Sequence, residues 1–109
     1  RTCFMEWMEV KENRLVVSLP PELDHHYTEE IRTEVDRMVS RQPVDEVEFD
    51  FTRTVFMDSA GIGMLIGRYK VMKALSGSIR LSHMNGQIRR ILSLSGIQRY
   101  IQLDGEEAV

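Results

Sequence analysis

Two hydrophobic periods divide the chain. Leu15, Val17 and Leu19 alternate with Val16 and Ser18, so Arg14 to Leu19 reads as a strand with one apolar face. A mixed stretch, Phe4 to Val10, precedes it, and the polar run Lys11 to Arg14 with Asn13 separates the two; the pattern predicts a hairpin. Pro20-Pro21 ends its second strand, because proline has no N–H for the ladder. The period then lengthens. Tyr27, Ile31, Val35, Met38 and Val39 recur at helical spacing, with Glu29, Glu30, Arg32, Glu34 and Arg37 elsewhere on the wheel. Asp24 or Thr28 is placed to cap this helix, and Pro43 marks its exit. Val47, Phe49 and Phe51 next alternate with Glu46, Glu48 and Asp50, the cleanest strand pattern in the chain.

A second helix opens in Met57 to Lys70, with an apolar stripe of Ile62, Leu65, Ile66, Tyr69 and Met72 and a stop at Ser76-Gly77. Ser78 to His83 reads as a short strand through Ile79 and Leu81. A third helix starts at Asn85 or Gly86, turns Ile88, Ile91 and Leu92 inward and ends at Ser95-Gly96, before a last apolar segment of Ile97, Tyr100 and Ile101. The order β-β-α-β-α-β-α predicts an α/β domain spanning residues 1–109. Parallel strands joined by helical crossovers and an opening antiparallel pair make a mixed sheet, with helices over at least one face.

Composition narrows the function. Of 109 residues, 42% are hydrophobic and 28% charged, in the range of ordinary globular domains, and the net charge of -3 with no basic tract argues against a general nucleic-acid binder. The single cysteine, Cys3, cannot form an internal disulfide, which suits a reducing, cytoplasmic setting. No apolar run is long enough to span a membrane, and the opening residues do not form a signal peptide. The chain does not begin with methionine, which fits a trimmed or excised chain.

The stretch "MDSAGIGMLIGRYK" is the most unusual. Gly61, Gly63 and Gly67 have the wrong spacing for a dinucleotide fingerprint, and Arg68 stands where a phosphate loop needs lysine, so no nucleotide cofactor is expected. Each helical glycine costs roughly 1 kcal/mol against alanine, so three within a few turns imply the close approach of the sheet or of a partner's backbone. Ser59 lacks the glycine-flanked elbow of a hydrolase nucleophile, although turnover of simple esters would revive a small-hydrolase reading. Its plainer role is to cap the helix, at a terminus where partial positive charge also favours a phosphate. "DHH", Asp24 to His26, has the look of a metal tripeptide, but further ligands at suitable spacing are missing, so no metal is expected.

"PELDHHYTEEIRTEV" followed by "FDFTRTVFMDSAGIGMLIGRYKVM" closely resembles the STAS-domain family of bacterial anti-sigma factor antagonists, above all its sporulation type. The resemblance runs over nearly the whole chain. It implies a STAS-like α/β fold, a mixed four- to five-stranded sheet with helices packed mainly on one face. It also implies a binding protein rather than an enzyme. The unphosphorylated form would bind an anti-sigma factor that is itself a serine kinase and so release a sigma factor. Phosphorylation at Ser59 would end the interaction, and a PP2C-type phosphatase would restore it. The implied partner surface comprises Glu22, Asp24, His25, Asp58, Ser59, Gly61, Gly63 and Arg68; ATP or ADP would belong to the partner kinase. Other roles within the family, as a stressosome subunit, a lipid-transport accessory or an excised transporter tail, are the alternatives.

Two positions depart from the family pattern. Ala60 replaces the usual second hydroxyl and leaves Ser59 the only serine or threonine between Thr54 and Ser76. Pro21 replaces a loop glycine and stiffens the segment before Glu22. A last family helix would have to start near Glu106, almost at the end of the chain.

Overall fold

The computed structural model describes residues 2–103. Its strands are β1 (Thr2–Met5), β2 (Met8–Lys11), β3 (Arg14–Ser18), β4 (Glu22–Leu23), β5 (Glu46–Asp50), β6 (Phe56–Met57) and β7 (Ser78–Ser82). Its helices are α1 (His25–Arg41), α2 (Ser59–Ala74) and α3 (Gly86–Ser95), followed by a 3-10 turn at Ile97–Arg99. The main sheet has five strands in the order β1-β2-β3-β5-β7. The first three are antiparallel neighbours, and β3, β5 and β7 run parallel, with Val17 beside Phe49 and Phe49 beside Leu81.

The alternation read along the chain decides which side of this sheet is dry. Leu15, Val17, Val47, Phe49 and Leu81 are fully buried and join one core cluster. All three helices contribute to it: Ile31, Val35 and Met38 from α1, Met64, Leu65 and Met72 from α2, Ile88 and Leu92 from α3. The opposite row of the sheet is charged. Arg14 Nε lies 2.7 Å from Glu46 Oε1, its Nη1 lies 3.3 Å from Glu48 Oε1, and Ser82 Oγ donates to Glu48 Oε2 at 2.6 Å. Those contacts let Glu48 sit at 9% exposure without an unpaired carboxylate.

Helix boundaries follow local chemistry. Asp24 caps α1, its Oδ1 accepting from His26 N at 3.0 Å, and α1 ends one residue before Gln42-Pro43. Asn85 caps α3 through Ile88 N at 2.8 Å, and Gly96 closes it at φ 81°, a left-handed conformation that suits glycine.

Three expectations are corrected. Phe4 to Val10 is not one strand but two, β1 and β2, reversing at Glu6-Trp7, so the chain opens with a three-stranded antiparallel meander rather than a hairpin. No strand is expected at Glu22-Leu23 or at Phe56-Met57, with Met57 placed in the opening of the second helix, yet these form β4 and β6 and pair in parallel as a separate two-stranded sheet. Tyr27, expected in the buried stripe of α1, is 41% exposed, and Thr28 is buried in that first turn instead. The helix expected near Glu106 lies outside the described residues.

Candidate functional site

The small sheet builds the site. Pro20 and Pro21 offer only carbonyls, and both are used: Thr54 Oγ1 donates to Pro20 O at 2.8 Å, while Val55 N and Phe56 N donate to Pro21 O at 2.8 and 3.2 Å. This docks the segment before α1 along the segment before α2. Glu22 then pairs with Phe56 and Leu23 with Met57. Leu23 and Met57 are buried, while Glu22 and Phe56 are exposed. Each strand is followed at once by an aspartate and then by a helix. The two units, β4-Asp24-α1 and β6-Asp58-α2, lie side by side in the same direction.

Asp58 holds them together. It is the N-cap of α2, its Oδ1 accepting from Ala60 N at 2.9 Å and Gly61 N at 3.3 Å. Its Oδ2 accepts from His25 N, the first amide of α1, at 3.1 Å, and His25 Nδ1 lies 3.6 Å from the same oxygen. One carboxylate therefore serves two helix N-termini. Partial burial pushes the Asp58 carboxyl up, but the hydrogen bonds from His25, Gly61 and Ala60 outweigh it and hold the group below its usual value. The capping role considered for Ser59 thus belongs to Asp58, and Ser59 is the first helical residue, exposed to solvent. The aspartate takes the cap because only its side chain has two acceptors for amides arriving from two directions.

Seven of the eight residues named from sequence gather at this corner. Glu22, His25 and Ser59 are exposed, Asp24 and Asp58 are half-buried, and Gly63 lies one helical turn beyond Ser59 on the exposed face of α2. Gly61 is buried. A Cβ there would stand 3.0 Å from Leu23 O and from Met57 Cε, so the close backbone implied by this glycine is the chain's own β4. Cβ atoms at Gly63 and Gly67 would meet nothing within 4 Å. Arg68 is the exception. At 7% exposure it is turned away from the corner into the contact between α1 and α2, with Nε 3.0 Å from Asp36 Oδ1. Burial lowers the affinity of its guanidinium for the proton, and Asp36 opposes that. A buried guanidinium offers no contact surface, so Arg68 leaves the set of surface residues.

Sequence reasoning also passed over Val55 and Phe56. They are 58% and 47% exposed and form an apolar rim beside Glu22. The signal was there: two large apolar residues fall directly before Met57-Asp58 in a segment too short to bury both. Asp24 and the adjacent histidines have other partners; Asp24 caps α1, and the His26 ring packs edge-on against Tyr27 at 5.1 Å. Among the described residues, no helix is long and apolar enough to cross a membrane.

A mixed sheet with one helical face, and one corner where two aspartate-capped helices open to solvent around a serine, describes a small α/β binding domain. The chain belongs to the STAS domain family, which matches residues 7–108. It is similar to an anti-sigma F factor antagonist from Paenibacillus polymyxa, at 30% identity over 100 residues, covering 92% of this chain and 86% of the relative. Among solved structures it is similar to the anti-sigma factor antagonist SpoIIAA in its unphosphorylated form, with a TM-score of 0.79 at 30% identity over 91% of this chain and 87% of that one. The Bacillus cell fate determinant SpoIIAA in the phosphorylated form matches with a TM-score of 0.71 at 30% identity, covering 91% of this chain and 90% of that one.

Proposed function

We propose that this chain is an anti-sigma factor antagonist whose unphosphorylated form binds a serine-kinase anti-sigma factor and frees a sigma factor, and that phosphorylation of Ser59 switches it off. The observation that carries the reading is the exposed Ser59 at the first position of α2, in a chain similar to a relative known in unphosphorylated and phosphorylated forms. The antagonist acts by binding; a PP2C-type phosphatase resets it, and the cycle runs in the cytoplasm. The proposed surface is Glu22, Asp24, His25, Asp58, Ser59 and Gly63, with Val55 and Phe56 as its apolar rim; Gly61, buried against β4, supports it from beneath.

The switch follows from electrostatics. A phosphate on Ser59 adds about -1.5 to -2 charge at neutral pH. The α2 terminus favours that charge by up to about 1 kcal/mol, and the Asp58 carboxylate next to it opposes it. Within the free protein these effects oppose each other, so the fold is retained. In a close-fitting interface the same phosphate needs volume and loses its hydration without a compensating partner, and binding is lost.

The test is a binding titration and a thermal melt on wild type, Ser59→Asp and Ser59→Ala, using the anti-sigma F factor of Paenibacillus polymyxa and ATP. Ser59→Asp should melt near wild type and lose most affinity. Ser59→Ala should bind and take up no phosphate. Phosphate still incorporated at wild-type stoichiometry in Ser59→Ala would sink the assignment of the site.

A further inference from the structure

The helices α1 and α2 run side by side and are joined at two levels. The upper contact is His25 N to Asp58 Oδ2 at 3.1 Å. The lower one is Arg68 Nε to Asp36 Oδ1 at 3.0 Å. With a rise of about 1.5 Å per residue, it lies roughly 15–18 Å further along both helices. On α1, Glu29, Arg32 and Asp36 form a line three and four residues apart; Arg32 pairs with Glu29, and its Nη1 lies 3.9 Å from Asp36 Oδ2. Arg68 comes from α2 to meet this line.

The lower contact is poorly built for stability. Arg68 is 7% exposed, and neither its Nε and Nη1 nor Asp36 Oδ1 has a well-directed hydrogen bond among the described residues. Desolvating such a pair offsets most of its attraction, and an apolar pair of similar volume often serves stability as well or better. What an ion pair supplies and an apolar pair does not is position. Leucine and methionine tolerate sliding, whereas a guanidinium and a carboxylate lose attraction as they are drawn apart. A slip of one helical turn, about 5.4 Å, would separate them and carry the His25 amide out of reach of Asp58.

We propose that the Arg68–Asp36 ion pair is a register pin that acts with the β4–β6 pairing and the Asp58 cap above it to keep the N-termini of α1 and α2 level, which makes Arg68 a positioning residue for the Ser59 corner. Its consequence for partner binding rests on the functional reading above; its consequence for the corner's geometry does not.

The experiment measures His25 amide exchange by nuclear magnetic resonance, with the Phe49 amide of β5 as the reference for global opening. The double variant Arg68→Met with Asp36→Leu should melt at or above wild type, yet exchange at His25 about tenfold faster, the change expected for loss of about 1.4 kcal/mol of local protection. Arg68→Lys, which keeps the charge, should exchange more slowly at His25 than the double variant. Asp36→Asn, which keeps the shape on α1, should accelerate His25 exchange while Phe49 stays protected, and it decides the matter if the double variant does not fold. Wild-type His25 exchange in Asp36→Asn or in the folded double variant overturns the proposal, as does Arg68→Lys exchanging as fast as the double variant. Binding of the same variants to the anti-sigma F factor of Paenibacillus polymyxa is a separate arm. If wild type itself does not bind, the functional reading fails and the pin is still judged by exchange.

Discussion

The three glycines of α2 fall into two kinds: Gly61 packs against β4, whereas Gly63 and Gly67 border open space. Replacing Gly63 or Gly67 by alanine introduces a methyl group with nothing within 4 Å of it. Each change removes backbone freedom from the unfolded chain and should stabilise the protein by about 0.8–1.0 kcal/mol. For a domain of this size that is a rise of roughly 4–8 °C in melting temperature. Gly61→Ala differs. Its Cβ would press on Leu23 O at 3.0 Å, and that carbonyl cannot retreat freely because it accepts from Asp58 N at 3.2 Å. Met57 Cε, also at 3.0 Å, is the end of a flexible chain and can move. Overpacking of this kind costs about 1–3 kcal/mol, more than the helix gains, so Gly61→Ala should melt several degrees below wild type. The functional half concerns Gly63, one turn from Ser59 on the exposed face. If its bare backbone is there for a partner's close approach, Gly63→Ala should melt higher and bind the anti-sigma factor less tightly. Differential scanning calorimetry and a binding titration on the three single variants measure both. A Gly63→Ala variant that is stabilised and binds as tightly as wild type would refute the partner-approach argument; one that is not stabilised would refute the stability argument.

Acid should loosen the protein in a defined window. Partial burial raises the Asp50 carboxyl, but hydrogen bonds from the Thr52 hydroxyl and amide, with His83 beside it, bring it below its usual value, and Asp58 is lowered likewise. A depressed folded value means the unfolded chain binds the proton more readily. The stability from these groups is therefore complete above about pH 5 and is lost as pH falls past about 3.9, the ordinary aspartate value, through the folded one. Melts between pH 7 and pH 2.5 check this, and Asp50→Asn should show a shallower fall than wild type. At the polar face of the sheet, Glu48→Ala leaves Ser82 and Arg14 without their shared acceptor and should cost about 1–3 kcal/mol by urea unfolding. Glu48→Gln keeps an acceptor for Ser82 and should cost less; equal losses would mean that charge, not hydrogen bonding, dominates there.

What the sequence discloses about this fold depends on how local the deciding interaction is. The strands β3 and β5 are legible because one face of each is buried, β5 most plainly because Glu46, Glu48 and Asp50 alternate with Val47, Phe49 and Phe51, and β3 less so because Val16 on the opposite face is apolar too. The ends of α1 and α3 are legible because Asp24, Asn85 and Gly96 act within a few residues of themselves. The reversal at Glu6-Trp7 is hidden, since neither residue is a turn former. Strands of two residues show no period. The choice between Asp58 and Ser59 as cap cannot be made locally, because the amide that favours aspartate comes from His25, far along the chain. Arg68 is misread for the same reason: an arginine on a helix is normally solvated, and only the arrival of Asp36 from α1 makes burial tolerable. The juxtaposition of "ELDHH" and "MDSAG" is implied only by family resemblance, and its physical cause is the pairing of β4 with β6.

That small sheet also separates residues that anchor from residues that are displayed. In each strand one residue faces in and the other out: Leu23 and Met57 anchor, Glu22 and Phe56 display. The displayed pair sits side by side at the rim of the corner and takes no part in the main core cluster. On the function proposed above, it works as a two-letter address written on a scaffold that does not depend on it. On that reading the partner choice can be altered by rewriting those two letters at little cost to folding, and an engineer wishing to redirect the protein would begin with the same two positions.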